Sequence, residues 1–214
     1  MAPATGKPHA PALVILAAGA SRRMGTCKAL VDLNGRTPLE HLLQAGACFG
    51  EALIVTGRHD TEIRAFLSAA TALPPHRITT NQSWEAGRTG SVQHAAAHLP
   101  DRDLCIAPVD CPLVPAEVFE TLLATWLGAA SPDGGWLSPR IQVASQAEPR
   151  HGHPVILGHG LLSHITHPSQ PLRQLRELAT SLLSISVTSP TILDNLDTPT
   201  ALSHHGHFPD SSFG

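Results

Sequence analysis

The residues best suited to chemistry are concentrated in positions 13–28, LVILAAGASRRMGTCK. Leu13, Val14, Ile15 and Leu16 form a short, branched apolar run of the kind that builds a buried parallel strand. The loop that follows carries Ala17, Ala18, Gly19, Ala20 and Ser21, so no bulky side chain keeps a ligand from the backbone. Gly19 and Gly25 permit the positive φ angles that aim successive N–H groups at one anion. Arg22, Arg23 and Lys28 add positive charge to those dipoles. This is the composition of a polyphosphate cradle at a strand end. Two familiar cradles are excluded. A P-loop requires Gly-Lys before Ser or Thr, whereas Lys28 follows Thr26-Cys27 and precedes Ala29. The dinucleotide fingerprint fails because Ala17, not glycine, stands two positions before Gly19.

A second chemical residue is Asp110, which closes another apolar run (Leu104, Cys105, Ile106, Ala107, Pro108, Val109) and precedes Cys111-Pro112. An aspartate fixed at a strand end is a rigid oxygen ligand for Mg²⁺, which favours one or two carboxylates plus substrate phosphates. The same residue could equally cap a turn. The cysteines at 27, 48, 105 and 111 form no C-x-x-C pair and no disulfide framework. Cys27 lies among cations, which lower a thiol's pKa. The histidines (14 in all) form no H-E-x-x-H or comparable zinc set, and most read as surface residues.

The elements that must position these residues are α/β. Strands are expected at 13–16, 52–56, 77–80, 103–109, 136–138, 153–157 and 182–187. Helices are expected at 38–49, 61–70, 91–99, 116–126 and 171–180. This alternation implies a Rossmann-like three-layer sandwich with a mostly parallel sheet and right-handed crossovers. Ligands on such sheets sit beyond the carboxyl ends of the strands, which puts the 17–28 loop and Asp110 on one edge. A hydrophobic share of 42% is enough for one core. We expect a single domain over residues 12–202, with flexible segments at 1–11 and 203–214. A net charge of −3 argues against a nucleic-acid partner. No apolar run reaches the ~20 residues that span a bilayer, so a membrane role is not expected and a cytoplasmic location is.

LAAGASRRMG followed by Lys28 resembles the N-terminal signature of the nucleotidyltransferases related to molybdopterin cofactor synthesis, L-A-A-G-x-S-x-R-M-G-x-x-K. The resemblance extends to about Thr200. It implies that Leu16, Ala17, Ala18, Gly19 and Lys28 hold a nucleoside triphosphate, with Arg22, Lys28 and Asp110 catalytic. Asn81-Gln82-Ser83-Trp84-Glu85-Ala86-Gly87 with Gly90-Ser91 is similar to the family's base- and ribose-binding segment, which implicates Asn81, Gly90 and Ser91. Asn195-Leu196-Asp197-Thr198-Pro199 resembles D-I-D-T-P and implies Asp197 as a second metal ligand beside Asp110. Asn195 departs from that pattern, and Asp197 could also cap a helix. Gly152-His153-Pro154-Val155 is similar to the G-H-P-V/I segment of the cytidylyltransferase branch, on the acceptor side.

What the resemblance implies is a Mg²⁺-dependent transfer of CMP from CTP to the phosphate of a molybdopterin-type acceptor, releasing pyrophosphate. A molybdoenzyme or its maturation chaperone would be a further partner. A phosphate with second pKa near ~6 is already dianionic and needs no general base. Ala17-Ala18 stand where GTP-using relatives have Gly-Gly, and an added methyl crowds a purine more than a pyrimidine. The alternatives are transfer from GTP or to another phosphorylated acceptor, and a non-catalytic cofactor carrier.

Overall fold

The computed structural model describes residues 10–21, 24–144 and 146–196. Four strands, β1 (Ala12–Ala17), β2 (Ala52–Thr56), β3 (His76–Thr80) and β4 (Leu104–Pro108), lie parallel in the order β3-β2-β1-β4. Helices α1 (Pro38–Ala45), α2 (Asp60–Ala69) and α3 (Arg88–His98) connect them in turn, and α4 (Ala116–Gly128) follows β4. Every residue of β1, β2 and β4 is buried, as strands covered on both faces require.

Alternation along β1 feeds two apolar layers. Leu13, Ile15 and Ala17 pack with Leu42 of α1, Ile63 of α2 and Phe119 of α4. Val14, Leu16 and Ala18 pack with Val92 and Ala95 of α3 on the opposite face. The three-layer, mostly parallel architecture is therefore the one expected. Helix α1 begins at a capping box: Thr37 Oγ1 accepts from the Glu40 N–H at 3.2 Å, and Glu40 Oε2 accepts from the Thr37 N–H at 2.7 Å. It ends at Ala45 rather than 49 because Gly46 caps it before a separate 3-10 turn, Ala47–Phe49.

The remainder of the sheet departs from simple alternation. Strands β5 (Gly135–Ile141), β6 (Arg150–His151), β7 (Val155–Leu157) and β8 (Ser181–Ser186) extend it, with short helices α5 (His159–Leu162) and α6 (Gln174–Leu178). β7 inserts antiparallel between β4 and β5, and β8 lies parallel to β5. The strand expected over 153–157 is interrupted. Leu137 pairs with Ile156 while Arg140 pairs with His151, so residues 152–154 bulge out of register by two positions. A Cβ on Gly152 would collide with the backbone of Ile192, so only glycine allows this close approach. The His153–Pro154 peptide is cis. Among the described residues, no helix is long and apolar enough to cross a membrane.

Candidate functional site

The β1 loop is held open by its own backbone. The Ser21 carbonyl accepts from the N–H groups of Met24 (2.9 Å) and Gly25 (3.2 Å), and Ser21 Oγ accepts from the Lys28 N–H at 3.0 Å. Left-handed conformations fall on Ser21 (φ +50°) and Gly25 (φ +70°), not on Gly19, which corrects the expectation for Gly19. A Cβ on Gly19 would meet no neighbour, so its bare backbone faces open space. Gly57, after β2, must be glycine for a different reason. A Cβ there would lie 2.6 Å from the Ala18 carbonyl, where the two strand ends meet.

These residues line a cleft of about 410 Å³ at the carboxyl ends of β1 and β4. Leu16, Ala17, Ala18, Gly19, Lys28, Ser91 and Asp110 all border it, with Trp84 and Arg88. Lys28 is only 7% exposed. A buried ammonium is costly unless paired, and Lys28 Nζ donates to Asp110 Oδ1 at 2.9 Å. Arg88 Nη2 donates to the other oxygen, Asp110 Oδ2, also at 2.9 Å. One carboxylate thus joins the loop after β1 to the first residue of α3. The segment beyond β8 reaches the same point: the Leu196 N–H donates to the Asp110 carbonyl at 2.9 Å, and Cys111 Sγ donates to the Asp194 carbonyl at 2.7 Å.

A second cavity of about 500 Å³ adjoins the first and shares Gly87 and Arg88 with it. Trp136, Pro168 and Leu172 supply apolar wall, while Arg88, Arg173 and Arg176 supply cations, and among the described residues no acidic one lines it. His151 bridges two elements, its Nδ1 2.9 Å from Ser138 Oγ and its Nε2 3.4 Å from Arg176 Nη2. Gly152 and His153 line this cavity. The His153 N–H donates to the Ile192 carbonyl at 2.9 Å, and its Nδ1 is sealed from solvent with no hydrogen-bond partner among the described residues. Burial, reinforced by Arg88 and opposed by Asp110, pushes the His153 pKa down to about 4, so the imidazole is neutral at pH 7.

Most of the residues singled out in the sequence are therefore brought together, but not all. Asn81 is buried behind the cleft, not on its lining. Its Nδ2 donates to Ser91 Oγ at 3.2 Å and its Oδ1 accepts from the Ser83 N–H at 3.0 Å, so both ends of the amide are used internally. Gly90 faces Pro168 and Pro154 is buried, and neither lines either of these two cavities. Arg22 and Asp197 lie outside the described residues. Cys27 borders the cleft, but burial pushes its thiol up to about 11, against the lowering expected from neighbouring cations.

Arg88, Arg173, Arg176 and His151 were not singled out as site residues. Arg88 did carry a signal: a cation in the first turn of a helix opposes the helix dipole, so it calls for another partner. Asp110 is that partner. The residues that could hold a metal ion include the Asp110 carboxylate, whose hard oxygens border the cleft and already face positive charge. A carboxylate oxygen is a donor of the kind magnesium takes, and a metal ion there would compete with the Lys28 and Arg88 contacts.

The family model of the MobA-like NTP transferase domain matches residues 13–184. The molybdenum cofactor guanylyltransferase of Shewanella sp. (strain MR-4) is 34% identical over 113 residues, 52% of this chain and 54% of that protein. The chain thus spans about half the length of the curated relatives it matches first. Among solved structures, Rv0371c from Mycobacterium tuberculosis H37Rv is similar with a TM-score of 0.70 at 20% identity, covering 91% of this chain and 97% of that one. Molybdopterin-guanine dinucleotide biosynthesis protein A from Archaeoglobus fulgidus has a TM-score of 0.61 at 18% identity, covering 90% and 95%.

Proposed function

We propose a function for this chain from one premise: it belongs to the MobA-like NTP transferase family. The activity is transfer of a nucleotidyl group from a nucleoside triphosphate to a phosphorylated acceptor of molybdopterin type, in molybdenum cofactor biosynthesis. The observation that carries this reading is the Asp110 carboxylate standing between Lys28 of the phosphate loop and Arg88, which borders both cavities. A donor site and an acceptor site meet at one charged junction.

In this reading the β1 loop and Lys28 hold the triphosphate in the cleft, and the cationic second cavity holds the acceptor. An acceptor phosphate oxygen attacks the α-phosphorus as the α–β bridge breaks and pyrophosphate departs. No proton need be removed from a phosphate dianion. The chain's task is positioning and charge neutralisation. Lys28 meets the charge that grows on the leaving pyrophosphate, and Arg22 is proposed to join it. Arg88 orients the acceptor phosphate toward the cleft. Asp110, with Asp197 as a second proposed ligand, would hold a magnesium ion, which would supply positive charge against the phosphates. Asn81 acts through Ser91, whose hydroxyl it fixes at the cleft wall. The proposed compartment is the cytoplasm.

CTP is the proposed donor. Ala17 and Ala18 narrow the cleft while packing into opposite apolar layers, and the Gly152-His153-Pro154 bulge lies on the acceptor side. GTP is the second reading, favoured by the curated relatives named guanylyltransferases. The test incubates the purified chain with Mg²⁺, molybdopterin and each nucleoside triphosphate in turn, measuring pyrophosphate. Release with CTP above all others supports the first reading and release with GTP the second. Release with neither supports a carrier.

A further inference from the structure

Cys27, His59 and Glu62 converge at a point the transfer reaction does not use. One donor atom from each lies within 4.8 Å of the other two. Cys27 belongs to the loop before the 3-10 turn Lys28–Leu30, while His59 and Glu62 sit at the start of α2. His59 is held from both sides: its Nδ1 lies 2.6 Å from Glu62 Oε2 and its Nε2 lies 3.4 Å from the Ala20 carbonyl. Burial first, and then the Glu62 carboxylate, keep Cys27 a neutral thiol, while the N–H groups of Ala29 and Leu30 favour the thiolate. The three donors therefore coexist without charge repulsion, and a bound cation would supply the positive charge that a thiolate needs there.

We propose that Cys27, His59 and Glu62 form a binding site for a borderline divalent cation, Zn²⁺, distinct from the Asp110 carboxylate. Sulfur, imidazole nitrogen and carboxylate oxygen together are the donor set of zinc, whereas magnesium takes oxygen alone. Tetrahedral ligation brings such donors to about 3.5 Å apart. The Glu62 side chain is 59% exposed and would exchange its contact with His59 for the metal, while His59, at 16%, is already placed. Three protein donors leave a fourth position for water. Binding releases the thiol proton of Cys27 to solvent and leaves the metal's oxidation state unchanged. Occupancy ties the phosphate loop to α2, because Cys27 borders the nucleotide cleft and His59 reaches the Ala20 carbonyl.

Co²⁺ is the probe, because a cobalt–thiolate bond has a charge-transfer absorbance that histidine-only sites lack. Titrating the full chain is expected to raise this absorbance to saturation at one equivalent, with Zn²⁺ displacing it. Cys27→Ser should abolish it, and Cys48→Ser, which alters the exposed cysteine, should leave it intact. His59→Ala and Glu62→Gln should keep the native circular dichroism and weaken Co²⁺ binding, His59→Ala by at least about tenfold, the lower end of what lost support of a metal site costs. The proposal is overturned if no thiolate band forms, if it survives Cys27→Ser, if it is lost with Cys48→Ser, or if a folded His59→Ala binds as tightly as the parent. None of these outcomes depends on nucleotidyl transfer.

Discussion

The nucleotide cleft and its neighbouring cavity are similar in size, about 410 and 500 Å³, yet they are assembled in opposite ways. The cleft is built mainly from short stretches that leave parallel strands. Residues 18–21 follow one strand and Asp110 another, with Lys28 tied back to Ser21 within the same loop. The second cavity draws Arg88 from α3, Trp136 and Ser138 from β5, His151 from β6 and Arg176 from α6. Its shape depends on a two-residue bulge and on an antiparallel strand inserted between parallel ones. Local geometry fixes the first site and long-range register fixes the second. In the proposed reading, generic phosphate chemistry belongs to the cleft and acceptor selection to the cavity.

The largest expected effect is in the cleft. Lys28→Ala should lower kcat by about 10²- to 10³-fold, the scale of losing one preorganised donor to developing charge. The loss should persist at high ionic strength, because Lys28 is buried and paired, whereas a solvated cation would be mimicked by salt. Steady-state kinetics at low and high salt distinguish the two. An effect confined to KM that vanishes at high salt would break the distinction between cleft and cavity.

Arg176→Ala should act only on the cavity. It removes one cation beside His151, so KM for the acceptor should rise about tenfold, roughly the 1.4 kcal/mol of one charged hydrogen bond. KM for the nucleotide should stay unchanged. Equal rises in both would mean that the two cavities are not separate sites.

The cavity also carries a pH signature. His153 has its pKa lowered from 6.5 to about 4, mainly by burial, so below pH 6.5 the unfolded chain takes up a proton that the folded chain refuses. Stability should therefore fall as pH drops from 6.5 toward 4, by roughly 2 kcal/mol at pH 5. Urea unfolding at pH 7.5 and pH 5 reads this directly. His153→Asn should lose measurably less between those two conditions.

Ala18→Gly should have the smallest effect. It should move the CTP:GTP ratio of kcat/KM a few-fold toward GTP, because one methyl is worth at most ~1–3 kcal/mol in discrimination. An unchanged ratio would remove Ala18 as a selector and leave donor choice to other residues.

The same contrast explains what the sequence could disclose. The strand at 52–56 and the alternation of strands and helices through β4 were legible because apolar runs are local signals. Asp110 was legible because it follows a strand, and Lys28 because it completes the small-residue loop motif after β1. Arg173 and Arg176 were not, because a surface-coded arginine looks the same whether its helix packs beside a cavity or not. Asn81 was expected to hold the nucleotide, but Ser83 and Ser91 use both ends of its amide, a pairing that only the fold discloses. Gly19 and Ser21 show the limit at closest range. The loop required positive φ, and the chain placed it on a serine whose hydroxyl is fixed by the Lys28 N–H.

The central claim is that donor and acceptor react at the Asp110 junction. The most direct test follows transfer of an α-³²P-labelled nucleotide to molybdopterin in a single turnover, comparing the parent chain with Asp110→Asn. This variant keeps one neutral acceptor oxygen facing the two cations, while Asp110→Ala would leave both facing a void. The account predicts label entering the acceptor in step with pyrophosphate release in the parent chain. In Asp110→Asn, transfer should be slowed at least about 10²-fold with nucleotide still bound. Transfer within tenfold of the parent rate would contradict it.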